Sequence, residues 1–433
     1  MFIRVNHTWI RKRARYILLF FCLTGIFVGC STKKNTPATR AFHNVTARYN
    51  VYFNAMESFK AGLLRIDQSI AEDYTRTLPV FKGTLPEAAK VATSEMELAI
   101  SKCNKLILLH SITKSPRRKS NNSERYKNFA SQGEYNEWVD DSYVLMGKAS
   151  YFNHDFHRAI ENFNYVIRKF PDQPTRYEAF LWMARSYTET GDFAQSLEIF
   201  NTLSRDAGFP KGLNQSLNLA QADYYLKDNQ PDLAIPHLKV ALESSLPRAE
   251  KLRINYILAQ LLVLANQPEE ASKQYLHVLK MRPSYQMAFN ARISRMEIEG
   301  GDSEEIAQEL QKMLNNDINL EYRDRIYFAK GEIALREGRR QDAIADFKNS
   351  VLYSSSNPKQ RALSSLNVAR LFFEENNYLQ SACYYDSAVA VIDANYPGYA
   401  EIITRSSGLK RLAENLNTIT REDSLQGLAR MPE

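Results

Sequence analysis

Glycine and proline are scarce in this chain, at 16 and 15 of 433 residues. That scarcity excludes collagen-like and Pro/Gly-rich disordered classes. Tryptophan is rarer still, at 3. Only four cysteines occur, at positions 22, 30, 103 and 383, and none has the spacing of a metal ligand. A real excess of positive charge is also missing. The net charge is +7, but residues 1–29 contain Arg4, Arg11, Lys12, Arg13 and Arg15 and no acid. Without them 51 basic residues face 49 acidic ones, so bulk charge implies no groove for a phosphate backbone, and nucleic acid is not an expected partner. Phosphate-cradling glycine loops, nucleophile elbows and zinc motifs are absent too, so neither an enzyme nor a cofactor is expected. What remains is 44% hydrophobic residues, with 24 Tyr and 22 Phe. That is enough to bury a large core in two or three domains or in one long repeat array.

The N-terminus reads as an address. A basic segment, 1–15, precedes the apolar run Tyr16–Val28, which at 13 residues is too short to span a bilayer comfortably and fits a secretory leader. Phe27, Val28, Gly29 and Cys30 then resemble a bacterial lipobox, with Phe27 in place of the usual aliphatic residue. The expectation is a signal peptide over 1–29, lipid on Cys30 and a polar tether over 30–44. Ser31 and Thr32 follow Cys30, with no Asp to signal inner-membrane retention and no acidic export cluster. The expected location is therefore the periplasmic face of the outer membrane, with the lipid as the membrane contact. Cys103 and Cys383 are expected to be small buried side chains rather than a disulfide.

The body repeats itself. Small residues recur at 159, 196, 234, 271, 307, 343 and 381, in steps of 36 to 38. The clearest unit, Tyr143–Pro171, places Gly147, Phe156, Ala159, Phe163 and Pro171 as the tetratricopeptide repeat does, and resembles that helix–turn–helix unit. Small residues let two helices touch, aromatics fill the gap to the next unit, and Pro171 ends the helix. The fold expected is all-α, a tetratricopeptide-repeat helical solenoid of about seven units over 136–397, the fifth degenerate. An N-terminal helical cap is read over 45–112, a basic polar loop over 113–135, and a capping helix with tail over 398–433.

Candidate chemistry is sparse. His154 and His157 fall at a repeat turn without a third ligand, and Asp140 and Asp141 open a helix where acids favour the dipole. The run Arg117, Arg118 and Lys119 reads as a solvated loop. The informative surface is the concave face, lined by the first helix of each unit. Apolar pairs seven apart share one helix face there: Val144 and Tyr151, Leu219 and Leu226, Tyr256 and Val263, Phe328 and Leu335, Leu366 and Phe373. Polar residues punctuate the row at Lys148, Arg185, Asp223, Gln260, Glu332 and Arg370. The partner-binding candidates are Lys148, Tyr151, Arg185, Tyr256, Gln260, Phe328, Arg370 and Phe373, facing an extended peptide or a helix. Packing between neighbouring units is the competing use of the apolar members.

Three longer stretches carry a family resemblance: AFHNVTARYNVYFNAMESFKAG at 41–62, LLHSI at 108–112, and EYNEWVDDSYVLMGKASYFNHDFHRAIENFNYVIRKFP at 134–171. Together they look like the PorW/SprE lipoproteins of Bacteroidetes. The closing REDSLQGLARMPE resembles a junction after which that family continues. The resemblance spans nearly all of the mature chain and the N-terminal half of the family. It implies a non-catalytic, outer-membrane-anchored scaffold associated with type IX secretion and gliding motility, with secretion components as partners. Two rival readings are a SusD-like glycan-binding lipoprotein and a BamD-like accessory of outer-membrane protein assembly. The few Trp weigh against the first, and the number of repeats against the second.

Overall fold

The chain turns the same way at six of its hairpins. His154, Gly191, Asn229, Asn266, Gly338 and Asn376 all have positive φ, between 53 and 79°. These are residues that tolerate the left-handed region or are enriched in it. After each, the next N–H reaches back to a carbonyl five residues earlier, as in Asp192 to Tyr187 at 3.0 Å and Asn377 to Phe372 at 2.9 Å. This bond closes the end of one helix. The same residue often caps the next. The Asp155, Asp192 and Asn377 side chains accept from N–H groups three residues on, at 3.2 to 3.3 Å. Elsewhere Pro231 and Pro268 start the second helix, where a missing N–H costs nothing.

The structure is a computed structural model that describes residues 31–431 apart from 118–122, 300–302, 393 and 395. The expected signal peptide, Cys30, Arg118 and Lys119 lie outside the described residues. Among the described residues all regular structure is helical. The helices divide into two compact units, 1–71 with 79–244, and 72–78 with 245–433.

The first unit begins with α1 (Pro37–Thr46), continues without a break through a wide π-helical turn (Ala47–Tyr52) into α2 (Phe53–Ser69), and returns as α3 (Pro86–His110). Helix α4 (Glu124–Ala130) is short. Three hairpins follow: α5 (Val139–Phe152) with α6 (Phe156–Lys169), α7 (Thr175–Thr190) with α8 (Phe193–Arg205), and α9 (Asn214–Lys227) with α10 (Pro231–Glu243). Four more make the second unit: α11 (Arg248–Leu264) with α12 (Pro268–Lys280), α13 (Tyr285–Glu299) with α14 (Ser303–Leu314), α15 (Arg323–Arg336) with α16 (Arg340–Tyr353), and α17 (Pro358–Glu374) with α18 (Tyr378–Val389). Helix α19 (Tyr399–Ala429) follows.

Some boundaries differ from the sequence reading. The tether expected over 30–44 gives way to helix at Pro37, because Thr36 and Thr39 form a reciprocal cap with bonds of 2.9 and 3.2 Å. Inside the expected loop 113–135, Ser123 caps α4 by accepting from the Tyr126 N–H at 3.3 Å. Most of the expected C-terminal tail is helix, up to Ala429. Cys103 is buried in the cap, where burial pushes its thiol up to about 12, whereas Cys383 is exposed, contrary to expectation. Its position, two residues after the inward-facing Ser381, turns it away from the partner helix. Both thiols are free.

The small residues do what their spacing requires. Ala159, Ser196, Ala234, Ala271, Ala343 and Ser381 are completely buried. The two serines occupy an alanine position at no polar cost. Ser196 Oγ donates to Ala184 O at 2.9 Å, and Ser381 Oγ to Ala369 O at 2.8 Å. Facing them, Gly147 and Gly331 lie under the rings of Phe163 and Phe347. A Cβ would stand 2.4 Å from Phe163 Cε1 at Gly147, and 2.7 Å from Phe347 Cδ1 at Gly331. Each ring, fully buried, supplies roughly 1.5–3 kcal/mol of hydrophobic stabilisation. We expect Gly147→Ala to destabilise the first unit by about 1–3 kcal/mol through overpacking. Gly212, with nothing within 4 Å of a new Cβ, tolerates the same change without loss. Chemical denaturation of both variants checks this pair.

Candidate functional site

In each of the two units, the segment between α2 and α3 packs on first-helix residues of the candidate row. Residues 72–84 lie between α2 and α3; 72–81 are extended or irregular and 82–84 form one 3-10 turn, with 72–78 belonging to the second unit and 79–84 to the first. The sequence reading treats this stretch as a break bracketed by Pro79 and Pro86. The apolar members Leu78, Val80 and Phe81 were the available signal that it is a packed strap.

In the second unit, Gln260 holds the strap by its backbone. Its Oε1 accepts from the Leu78 N–H at 2.9 Å, and its Nε2 donates to Arg76 O at 2.9 Å. A side-chain amide has one donor and one acceptor face, so it can replace a neighbouring strand for one residue pair. Side chains add to the grip. Glu72 meets Arg253 at 2.6 Å, and Asp73 meets Lys359 at 3.2 Å. Tyr74 packs edge-on against Tyr256 with centroids 5.2 Å apart. The Arg76 guanidinium lies 4.6 Å from the centre of the Tyr396 ring, and Leu78 is 1% exposed.

In the first unit the row meets residues 79–84. Arg185 is clamped between two rings, 3.8 Å from the centre of Phe81 and 3.9 Å from that of Trp182. Such stacking suits a guanidinium better than an ammonium, because it is planar and weakly hydrated. His154 Nε2 donates to Gly83 O at 3.0 Å. Gly83 has no room for a side chain, since a Cβ would lie 2.3 Å from Phe152 Cε1. His154 thus serves the turn and the strap.

The sequence candidates sort accordingly. Tyr151 and Tyr256 are wholly buried and Phe328 is 6% exposed. These three are core residues, with no face left for a partner. Tyr151 packs against Phe156 and Trp182 and donates to Glu189 Oε1 at 2.7 Å. Phe328 packs against Phe347. Lys148 is ion-paired with Glu178 beside the Trp182 ring. Gln260 and Arg185 touch the strap, as above. Only Arg370 and Phe373 remain exposed, Phe373 at 39%. Arg370 donates to Asn367 Oδ1 at 2.9 Å. The candidates lie on the first helices of their hairpins, and the apolar members Tyr151, Tyr256 and Phe328 serve packing. Among the described residues no group of three or more His, Cys, Asp or Glu could hold a metal ion. No described helix is long and apolar enough to cross a membrane.

The acids at the start of α5 also do more than favour a dipole. Asp140 Oδ2 accepts from the Thr175 hydroxyl at 2.7 Å. Asp141 is pushed up to about 7 by burial first, then by the negative charges of Asp140 and Glu178, with Lys148 opposing. Desolvation outweighs the helix dipole here.

Residues 144–208 and 219–290 match the tetratricopeptide repeat family model. These stretches are tetratricopeptide repeats, and the all-α fold is a tetratricopeptide-like array. Repeats of this kind stack into surfaces suited to protein–protein interaction. The chain is similar in fold to the apo form of the quorum sensor NprR from B. thuringiensis, at 12% identity over 88% of this chain and 94% of that one, with a TM-score of 0.44. It is also similar to the C-terminal part of a TPR repeat-containing protein from Cytophaga hutchinsonii, at 11% identity over 72% and 95% of the two chains, with a TM-score of 0.34. Pseudomonas aeruginosa pilF is a third, at 14% identity over 61% and 96%, with a TM-score of 0.33. A search of curated proteins finds no match.

Two outcomes test this geometry. Gln260→Ala removes both backbone bonds to the strap, so trypsin should cut after Arg76 about tenfold faster than in the parent chain, from roughly 1.4 kcal/mol of lost hydrogen bonding. Digestion followed by mass spectrometry reads it, and an unchanged rate would show that Gln260 does not hold the strap. Asp141 provides the second. Its folded pKa lies above the ordinary 3.8, so the folded state binds more protons than the unfolded one between about pH 4 and 7. Stability contributed by this group therefore falls as pH rises through that window. Asp141→Asn should raise the melting temperature at pH 8 and leave it nearly unchanged at pH 4.

Proposed function

We propose that this chain is a non-enzymatic scaffold for protein assembly, anchored by lipid on Cys30 at the periplasmic face of the outer membrane. On this reading it works in type IX secretion and gliding motility. The leader and lipobox over 1–30 support the anchor, and the PorW/SprE resemblance supports the pathway. The observation that carries the scaffold role is the grip on residues 72–78. A row that holds extended backbone through Gln260, an acid through Arg253 and an aromatic ring through Tyr256 has the chemistry to hold an extended protein segment. A partner segment with an acid two residues before an aromatic, and an aliphatic residue four positions after the aromatic, competes with the strap for these rows. Such an internal competitor sets a threshold, because its effective concentration is on the order of millimolar.

The test is crosslinking in intact cells, with tagged protein purified from outer membranes, partners identified by mass spectrometry and Cys30→Ala as control. Type IX components should be recovered with the parent chain and reduced with the variant. Barrel-assembly or glycan-uptake proteins in their place would keep the array and overturn the pathway, in favour of the BamD-like or SusD-like reading. Capture of no protein would overturn the scaffold.

A further inference from the structure

A cavity of about 780 Å³ opens between the start of α1 and the chain leaving α3. Lys33, Lys34, Asn35, Arg40, Lys114, Arg117, Tyr126 and Phe129 stand among its lining residues, and no acid does. Five cations thus share one concave site. None makes an ion pair with a described residue. Arg40 donates to Asn35 Oδ1 and lies 4.9 Å from the centre of the Phe129 ring. Asn35 Nδ2 in turn donates to Lys114 O at 2.6 Å, tying the two walls together. Among the described residues, no hydrogen-bond acceptor meets the side-chain nitrogens of the four other cations. Glu124, the acid nearest in sequence to Arg117, is paired with Lys127 at 3.7 Å. The start of α1 is not the source of the site's field, since Thr36 and Thr39 already cap it.

Like charges gathered without counter-charge repel, and the arrangement is favourable only when an anion completes it. The volume is that of a small-molecule site rather than a surface dimple. Arg40 presents a fork for two phosphate oxygens, and the lysines supply point charges around it. Phe129 and Tyr126 give the cavity an apolar side. Position selects the source of the phosphate. Lys33 is three residues from Cys30, so their Cα atoms lie within about 11 Å even in a fully extended chain.

We propose that this cavity binds the phosphate headgroup of an anionic phospholipid in the membrane that carries the anchor, holding the cap against the bilayer surface. The choice of a lipid phosphate rests on the Cys30 anchor reading, whereas the cation cluster does not. Native mass spectrometry of the full chain, extracted from membranes in mild detergent, separates the two. It reads acylation as covalent mass and the headgroup site as a retained phospholipid. The parent chain should keep one anionic phospholipid. Lys33→Gln with Lys114→Gln, both exposed side chains outside the packed core, should weaken retention about 30-fold. Lys90→Gln with Lys169→Gln, on the same unit and away from the cavity, should leave it unchanged. Equal retention in both variants, or equal loss, overturns the proposal. A bound inorganic phosphate in place of a phospholipid overturns the lipid assignment. A retained, cavity-dependent phospholipid on a chain without acyl mass removes the anchor and keeps the site.

Discussion

Two helices lie as close as these hairpins do only where one of them gives up its side chain. The array depends on that constraint. Gly147 and Gly331 give the space that Phe163 and Phe347 take, and alanine or serine at the facing position keeps the second helix near. A ring in such a slot touches atoms on every side, so it fixes the angle as well as the distance between the helices. The left-handed residue at six of the hairpin turns answers the same demand from the backbone. It reverses the chain in few residues while satisfying the last carbonyls of the first helix. Period, turn and small residue are three expressions of one requirement, and so they recur together.

A concave row built this way is lined by long side chains of inner helices, and it exposes polar and apolar atoms in alternation. Left open, it would hold solvent against buried tyrosines. Residues 72–78 cover part of it in the second unit, and residues 79–84 part of it in the first. In each unit the strap is met in kind: Gln260 supplies the missing strand edge, and Arg185 lies between rings. The same features that stabilise the fold make the row a receptor for extended backbone. Stability and recognition thus use the same atoms here, and a partner segment has to compete with an internal one.

Some of this was legible in the residues alone. The step of 36 to 38 between small residues fixed the hairpin count, and the seven-residue pairing put the candidates on inner helices. What periodicity could not say is which face of an inner helix ends up covered. Tyr151 and Phe328 repeat at the right spacing for a groove, but two neighbours close over each of them. Arg370 and Phe373, with the same spacing, stay exposed. Cys383 reads as an apolar core residue, yet it sits two places from the inward Ser381 and faces solvent. The basic cavity was invisible for a related reason. Lys33, Lys34 and Arg40 are separated from Lys114 and Arg117 by more than seventy residues, and in sequence each group resembles an ordinary solvated run.

By itself the sequence determined the all-helical class and the repeat, because those follow from local spacing: apolar residues at helical intervals and a small residue in every hairpin. Tertiary structure decided what the inner surface holds. Residues 72–78 meet Gln260 across more than 180 positions of chain, and Asn35 meets Lys114 across 79. No local pattern encodes a pairing over such a span. It arises only when packed helices bring the two segments within hydrogen-bond reach, and their unpaired polar groups then find each other rather than stay unsatisfied.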